Sequence, residues 1–241
     1  TTLRDLSPGW AVQLTARTVS PVAKNETALL RFRARVAHTL HETGLGRVRV
    51  VVQRAGGDFQ RSANAAFDLM GAFSPRSVVM HLNHENRRFG FVAGDWFAHI
   101  VPAIERYAAR SRDMGAMLVL ENVYEEEPSG MVRVLEALSG SGVRHCLDVG
   151  HLNAFSETGL DEWLAATGPH VRQFHLHDND GSGDSHGPIG SGTVRFDRVA
   201  EFIGRMDERP IITLEPHTEP DIWLTLDGLE RTGIVAALAR F

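Results

Sequence analysis

Met117-Leu118-Val119-Leu120-Glu121 is a run of four apolar residues closed by a carboxylate. A run this short, with no polar alternation, reads as a strand buried on both faces. The residue at its end is of a kind that can bind a metal ion or move a proton. The same shape recurs in Val78-Val79-Met80 before His81, Cys146-Leu147 before Asp148, Gln173-Phe174 before His175, and Ile211-Ile212-Thr213-Leu214 before Glu215. The endpoints 81, 121, 148, 175 and 215 are 40, 27, 27 and 40 residues apart, enough each time for a loop, a helix and a returning strand. Parallel strands carrying polar groups at their C-terminal ends are how a (β/α)₈ barrel builds its active site, and the pattern predicts that fold.

The intervals read as helices. Leu29, Leu30, Phe32, Val36, Ala37 and Leu40 recur at helical spacing and predict a helix over 27–42, closed by Gly44 and Gly46. Further helices are predicted over 62–73, 96–114, 131–138, 160–166, 196–206 and 222–238. Strands are predicted at 10–15 and 47–52, which with the five above makes seven. Either 2–6 forms a degenerate first strand or that unit has been lost, so the expected barrel is irregular or incomplete on its N-terminal side. The chain opens on Thr1 rather than Met, and the expectation is an N-terminus that is processed or absent.

With 241 residues the chain has the length of one (β/α)₈ domain spanning 1–241. A net charge of -5 gives no basic footprint for nucleic acid. Cys146 is the single cysteine, so no internal disulfide forms, and a reducing cytoplasm is the expected compartment. No apolar run reaches the length of a membrane span.

Two strand ends carry more than one polar group. In Asp148-Val149-Gly150-His151 an imidazole follows the carboxylate by three residues, where the chain turns outward. In His175-Leu176-His177-Asp178 the alternation of a strand puts both imidazoles on one side. The loop 181–192, with Asp184, His186 and five glycines, can bring backbone close to a ligand.

Together, Leu120-Glu121-Asn122, Leu147-Asp148-Val149-Gly150-His151, His175-Leu176-His177-Asp178, Asp184-Ser185-His186 with Gly190-Ser191-Gly192, and Leu214-Glu215 resemble the xylose isomerase-like barrels. That family includes sugar isomerases, sugar epimerases and the endonuclease IV type of AP endonuclease. The resemblance implies one divalent ion, Mn²⁺, Mg²⁺ or Zn²⁺, held by Glu121, Asp148, His175 and Glu215. It implies an isomerase or epimerase acting on a sugar or sugar phosphate, in which one of Glu121 and Glu215 takes a proton from carbon and the other returns it. His81, His151 and His186 would then bind substrate, and a homodimer is the expected assembly.

The nuclease branch uses three zinc ions and requires a His where this chain has Gln53, a poor zinc ligand. His151, Asp184 and His186 do match that branch's third zinc position and form a candidate second metal site. The sugar reading is therefore preferred. An endonuclease IV-like phosphodiester-cleaving enzyme and a catalytically silent ligand-binding barrel are the alternatives. His177 and His217 read as supports for ligands rather than ligands, and Glu125, Glu126 and Glu127 as an exposed loop. Trp10, Trp96, Trp163 and Trp223 read as packing residues. His84, Arg87 and Arg88 are as suited to solvent as to a substrate phosphate.

Overall fold

A computed structural model describes residues 11–15, 47–52, 64, 67–68, 75–82 and 93–241. The expectations for 2–6, 27–42 and most of 62–73, and those for Trp10, Gln53, His84, Arg87 and Arg88, lie outside the described residues. The chain divides into two compact units, one within 1–81 and 104–119, the other within 82–103 and 120–241.

In the first unit β1 (Ala11–Thr15), β2 (Arg47–Val52) and β3 (Ser77–His81) pair in parallel, Leu14 beside Val50 and Val51 beside Val79. Ser77 to Met80 are buried and His81 is half-buried, as expected of a strand running from the core to a polar end. Met117, which opens β4 (Met117–Glu121), donates its backbone N–H to Arg76 O at 3.0 Å. The helix α1 (Ala93–Asp113) begins three residues before the predicted start. Near its C-terminal end the Arg110 guanidinium reaches Asn64 Oδ1 at 2.8 Å and lies 4.8 Å from the centre of the Phe67 ring, which stacks on Tyr107.

The second unit carries strand ends rich in polar groups. β5 (Arg144–Asp148), β6 (Val171–Leu176) and β7 (Ile211–Leu214) are parallel neighbours in that order. The register sets Asp148 beside His175 and His175 beside Thr213, while Leu147, Phe174 and Ile212 form the adjacent row. In β6 only Arg172 is not fully buried, which fits a parallel strand covered on both faces. Helices α2 (Ser129–Ala137), α3 (Val149–Phe155), α4 (Leu160–Thr167) and α5 (Phe196–Ile203) intervene between the strands. Met131, Leu135, Leu147, Trp163, Phe174 and Leu176 are fully buried core residues. Trp163 also donates its indole N–H to Ser156 Oγ at 2.8 Å, so its one polar atom is satisfied inside.

Three local expectations change. The predicted helix over 222–238 is two helices, α6 (Glu219–Arg231) and α7 (Ile234–Leu238), separated at Thr232 and Gly233. Helix α3 starts directly at the end of β5, where only an outward turn is expected from the sequence. Glu125 is buried rather than exposed, because its carboxylate turns back to accept the Val123 N–H at 2.6 Å. Among the described residues no helix is long and apolar enough to cross a membrane.

Candidate metal centre

The β5–β6 register is the first step in assembling the site, since neighbouring residues in a parallel pair share a face and Asp148 therefore stands next to His175. Glu215 follows the last residue of β7 and extends the ladder by donating its N–H to Leu176 O at 3.2 Å. Glu121 closes β4, and its carbonyl accepts the Leu82 N–H at 3.1 Å. The next residue, Asn122, clamps β5: its amide donates to Asp148 O at 2.8 Å and its side-chain oxygen accepts the Asp148 N–H at 2.9 Å. That clamp imitates one more rung of a strand ladder.

Glu121, Asp148, His175 and Glu215 each offer one ligand atom, and these atoms all lie within 4.8 Å of one another. His175 Nδ1 is central, 3.2 Å from Glu121 Oε1, 3.1 Å from Glu215 Oε1 and 3.7 Å from Asp148 Oδ2. Asp148 Oδ2 and His175 Nδ1 are both buried and make no hydrogen bond. Carboxylates gathered in a dry site repel one another unless a proton or a cation lies between them. Burial opposes protonation of His175, yet the Cys146 thiol and the Glu215 and Glu121 carboxylates raise its pKa well above the ordinary histidine value. A divalent cation offsets such repulsion as well as a proton does, and three carboxylates with one imidazole suit Mn²⁺, Mg²⁺ or Zn²⁺.

Asp148 does more than face that group. Its Oδ1 accepts the His151 N–H at 2.8 Å, capping α3, and also accepts from His177 Nε2 at 3.0 Å. Burial disfavours its charge, but His151 and His177 outweigh burial and hold its pKa below the usual carboxylate value.

A second group forms from His151, His177, Asp184 and His186, with one ligand atom each again within 4.8 Å. Asp184 Oδ2 is 3.4 Å from His151 Nε2 and 3.1 Å from His186 Nε2, and Asp184 Oδ1 is 3.7 Å from His177 Nδ1. The structure thus brings together the expected His151, Asp184 and His186 and adds His177. His217 is exposed and stacks on His186 with ring centres 4.1 Å apart.

The loop that carries Asp184 and His186 is organised by Asp178. Its carboxylate accepts backbone N–H groups from Asn179, Gly190, Gly192 and Val194 at 2.8–3.1 Å. A Cβ on Gly192 would lie 2.1 Å from Asn179 O, so only glycine permits this approach. Gly192 thus serves the packing of the loop against Asn179, just beyond β6.

Sequence reasoning misses the Asn122 clamp, Asp178 and Gln173. The Gln173 carboxamide nitrogen lies 3.1 Å from His175 Nε2 and 3.2 Å from Thr213 Oγ1. The signal was present, since strand alternation places Gln173 on the same side as His175.

The chain matches the family model described as xylose isomerase-like TIM barrel over residues 56–237. It is 27% identical over 84 residues to the protein MJ1614 of Methanocaldococcus jannaschii, a stretch that covers 35% of this chain and 32% of that relative. The TTHB071 protein from Thermus thermophilus, in a structure soaked with ZnCl2, superposes with a TM-score of 0.72 at 22% identity, over 92% of this chain and 87% of that one. A D-tagatose 3-epimerase-like protein gives a TM-score of 0.76 at 13% identity, over 95% and 90%. The 3-keto-D-glucoside 4-epimerase YcjR from E. coli gives 0.64 at 14%, over 85% of each chain. The family match spans most of the sequence and includes both donor groups, so the chain belongs to the xylose isomerase-like TIM barrel family.

Proposed function

We propose that the protein is a metal-dependent isomerase or epimerase acting on a sugar or sugar phosphate. The observation that carries this reading is the placement of two glutamates on either side of His175 Nδ1, at 3.2 Å and 3.1 Å. When bound by Glu121, Asp148, His175 and Glu215, a divalent ion supplies Lewis-acid polarisation of a substrate oxygen, which acidifies the neighbouring C–H. Glu215 exposes 15% of its side chain against 2% for Glu121 and is the more accessible base. Glu215 takes the proton from carbon, and Glu121 returns one to the opposite face for epimerisation. Microscopic reversibility lets the two exchange roles in the reverse direction. The burial of Glu121, Asp148 and His175 lowers the local dielectric, which strengthens the electrostatic interactions that hold the substrate oxygens. The single, buried Cys146, with its thiol pushed up to about 12 by burial, suits a protein of the reducing cytoplasm.

The test is incubation in D₂O with a panel of ketoses, ketose phosphates and their epimers, with Mn²⁺, Mg²⁺ or Zn²⁺ supplied in turn. Deuterium should enter at one carbon next to the carbonyl of one substrate class. No exchange with any of them, together with cleavage of an abasic-site oligonucleotide, would move the assignment to the phosphodiesterase reading. The second donor group is the feature that favours that rival.

A further inference from the structure

Beside the oxygen-rich group the chain presents an aromatic pair, Tyr124 and Phe155, on segments fastened at both ends. Tyr124 is 43% exposed, although Val123 and Glu125 on either side of it are buried. The Glu125 carboxylate accepts the Val123 N–H at 2.6 Å, which bends the chain between them and leaves the Tyr124 ring on the outside. Asn122 ties the start of this segment to the Asp148 backbone. Its far end is tied to the close of α3, where Glu126 O accepts the Ser156 hydroxyl at 2.8 Å and the Glu157 N–H at 2.8 Å. Between these two ties the rings of Tyr124 and Phe155 meet, with centres 5.0 Å apart and planes at 57°.

Phe155 follows His151 by four residues on α3, so the two share one face of the helix, and their ring centres are 6.2 Å apart. His151 Nδ1 in turn lies 3.4 Å from Glu121 Oε1. A row of rings thus leads from the donor group to solvent: His151 is buried, Phe155 half-buried and Tyr124 exposed. A solitary exposed tyrosine needs no explanation. A ring pair anchored at both ends and continuous with a donor group is a surface prepared for something, and rings already fixed lose little entropy when it arrives.

The faces of aromatic rings are electron-rich, and the C–H hydrogens of a sugar are weakly positive, so a sugar lays its least polar face against them. Two rings at 57° make a corner rather than a flat shelf, which suits a puckered carbon skeleton better than a planar base. Charge narrows the class further. The segments 122–129, 149–159, 177–194 and 215–221, which follow the ends of β4 to β7, contain no Lys or Arg, but they do contain Glu126, Glu127, Glu157 and Asp180. A phosphate is ordinarily held by Arg or Lys and would meet carboxylates here instead.

We propose that Tyr124 and Phe155 form the apolar wall of the substrate site, against which an unphosphorylated sugar lays its C–H face while its reacting carbon lies at Glu121 and Glu215. The wall sets affinity and selects neutral sugars; it takes no part in moving the proton. This rests on the isomerase or epimerase reading of the neighbouring donor group.

The experiment uses the full-length protein loaded with Mn²⁺ and compares free ketoses with the matching ketose phosphates, reading solvent-deuterium exchange. A free ketose should exchange with the higher kcat/KM. Tyr124→Ala and Phe155→Ala should each raise its KM roughly 10-fold and change kcat by no more than about threefold, and Tyr124→Phe, which keeps the ring, should restore the KM. The exposure of Tyr124 means that its alanine variant keeps the core, so a folding defect in Phe155→Ala leaves the test intact. Binding is read separately by saturation transfer in NMR, from the protein's aromatic protons to the sugar's C–H protons, for the wild type and Tyr124→Ala. A wild-type KM in Tyr124→Ala, a preference for the phosphates, or no saturation transfer to any free ketose would overturn the proposal. Transfer that depends on Tyr124 without deuterium exchange would keep the wall and remove the isomerase reading instead.

Discussion

The two donor groups share neighbouring strand ends and have inverted compositions. Glu121, Asp148, His175 and Glu215 offer three carboxylates and one imidazole, whereas His151, His177, Asp184 and His186 offer three imidazoles and one carboxylate. The first is rich in oxygen and keeps groups that can accept a proton from carbon. In the second every imidazole has one nitrogen beside Asn122 O, Asp148 Oδ1 or Glu215 O and the other facing Asp184. The contrast teaches that proximity of donors does not assign chemistry. What the far side of each donor does decides whether it reacts or merely holds.

The strongest way to break this contrast is to disable the base. Glu215→Gln or Glu121→Gln should lower solvent-deuterium exchange at the substrate carbon by about 10²–10⁴-fold while the fold, by circular dichroism, is unchanged. Exchange at the wild-type rate in both variants would remove the glutamates from the reaction. Next is the support of the oxygen-rich group. Turning the Gln173 carboxamide so that its oxygen meets His175 Nε2–H and the Thr213 hydroxyl leaves Nδ1 free to bind an ion. Gln173→Leu should therefore weaken Mn²⁺ or Zn²⁺ binding by the oxygen-rich group roughly 10- to 100-fold in a competition titration. Wild-type affinity in that variant would exclude Gln173 as a support.

Gly150→Ala should do the reverse. A methyl group driven into the His177 ring should cost about 1–3 kcal/mol in thermal unfolding and affect metal binding by the oxygen-rich group less than Gln173→Leu does. An unchanged melting temperature would show that His177 has another position available.

A further effect concerns neither group. His145 is fully buried beside Trp163 with both ring nitrogens lacking a hydrogen-bond partner; burial, with His170 adding to it, pushes its pKa down to about 3. The unfolded chain protonates this residue near pH 6.5 and the folded chain does not. Stability is thus fully present above pH 6.5 and is lost as pH falls towards 3. Between these limits, at about pH 4, the loss should be on the order of 3 kcal/mol. His145→Phe should flatten this part of the acid limb in urea titrations, and an equally steep limb would exclude His145 as its source.

The strand ends were legible in the sequence because a parallel strand buried on both faces leaves a nearly pure apolar run, and a charged residue at its end cannot hide. For that reason Glu121, Asp148, His175 and Glu215 stand out before any coordinates. Helix α3 was not legible, since its start is set by the Asp148 side chain accepting the His151 N–H, and Val149-Gly150 has little helical signature of its own. The place of His177 was likewise hidden. Alternation puts it on the face of His175, but only the fold shows that one nitrogen meets Asp148 while the other turns to Asp184. Glu125 misleads for a related reason, as a run of three glutamates looks solvated until one of them bends back onto Val123 N. Gln173 shows the same limit from the other direction, since its alternation is readable but its hydrogen bond to a ligand is not.

Asp148 places one carboxylate oxygen in each group, Oδ2 towards His175 and Oδ1 on His177. The two groups are therefore coupled through one side chain: whatever orders His177 also orders Asp148, and by reciprocity a cation or proton taken up by one group changes the affinity of the other by the same factor.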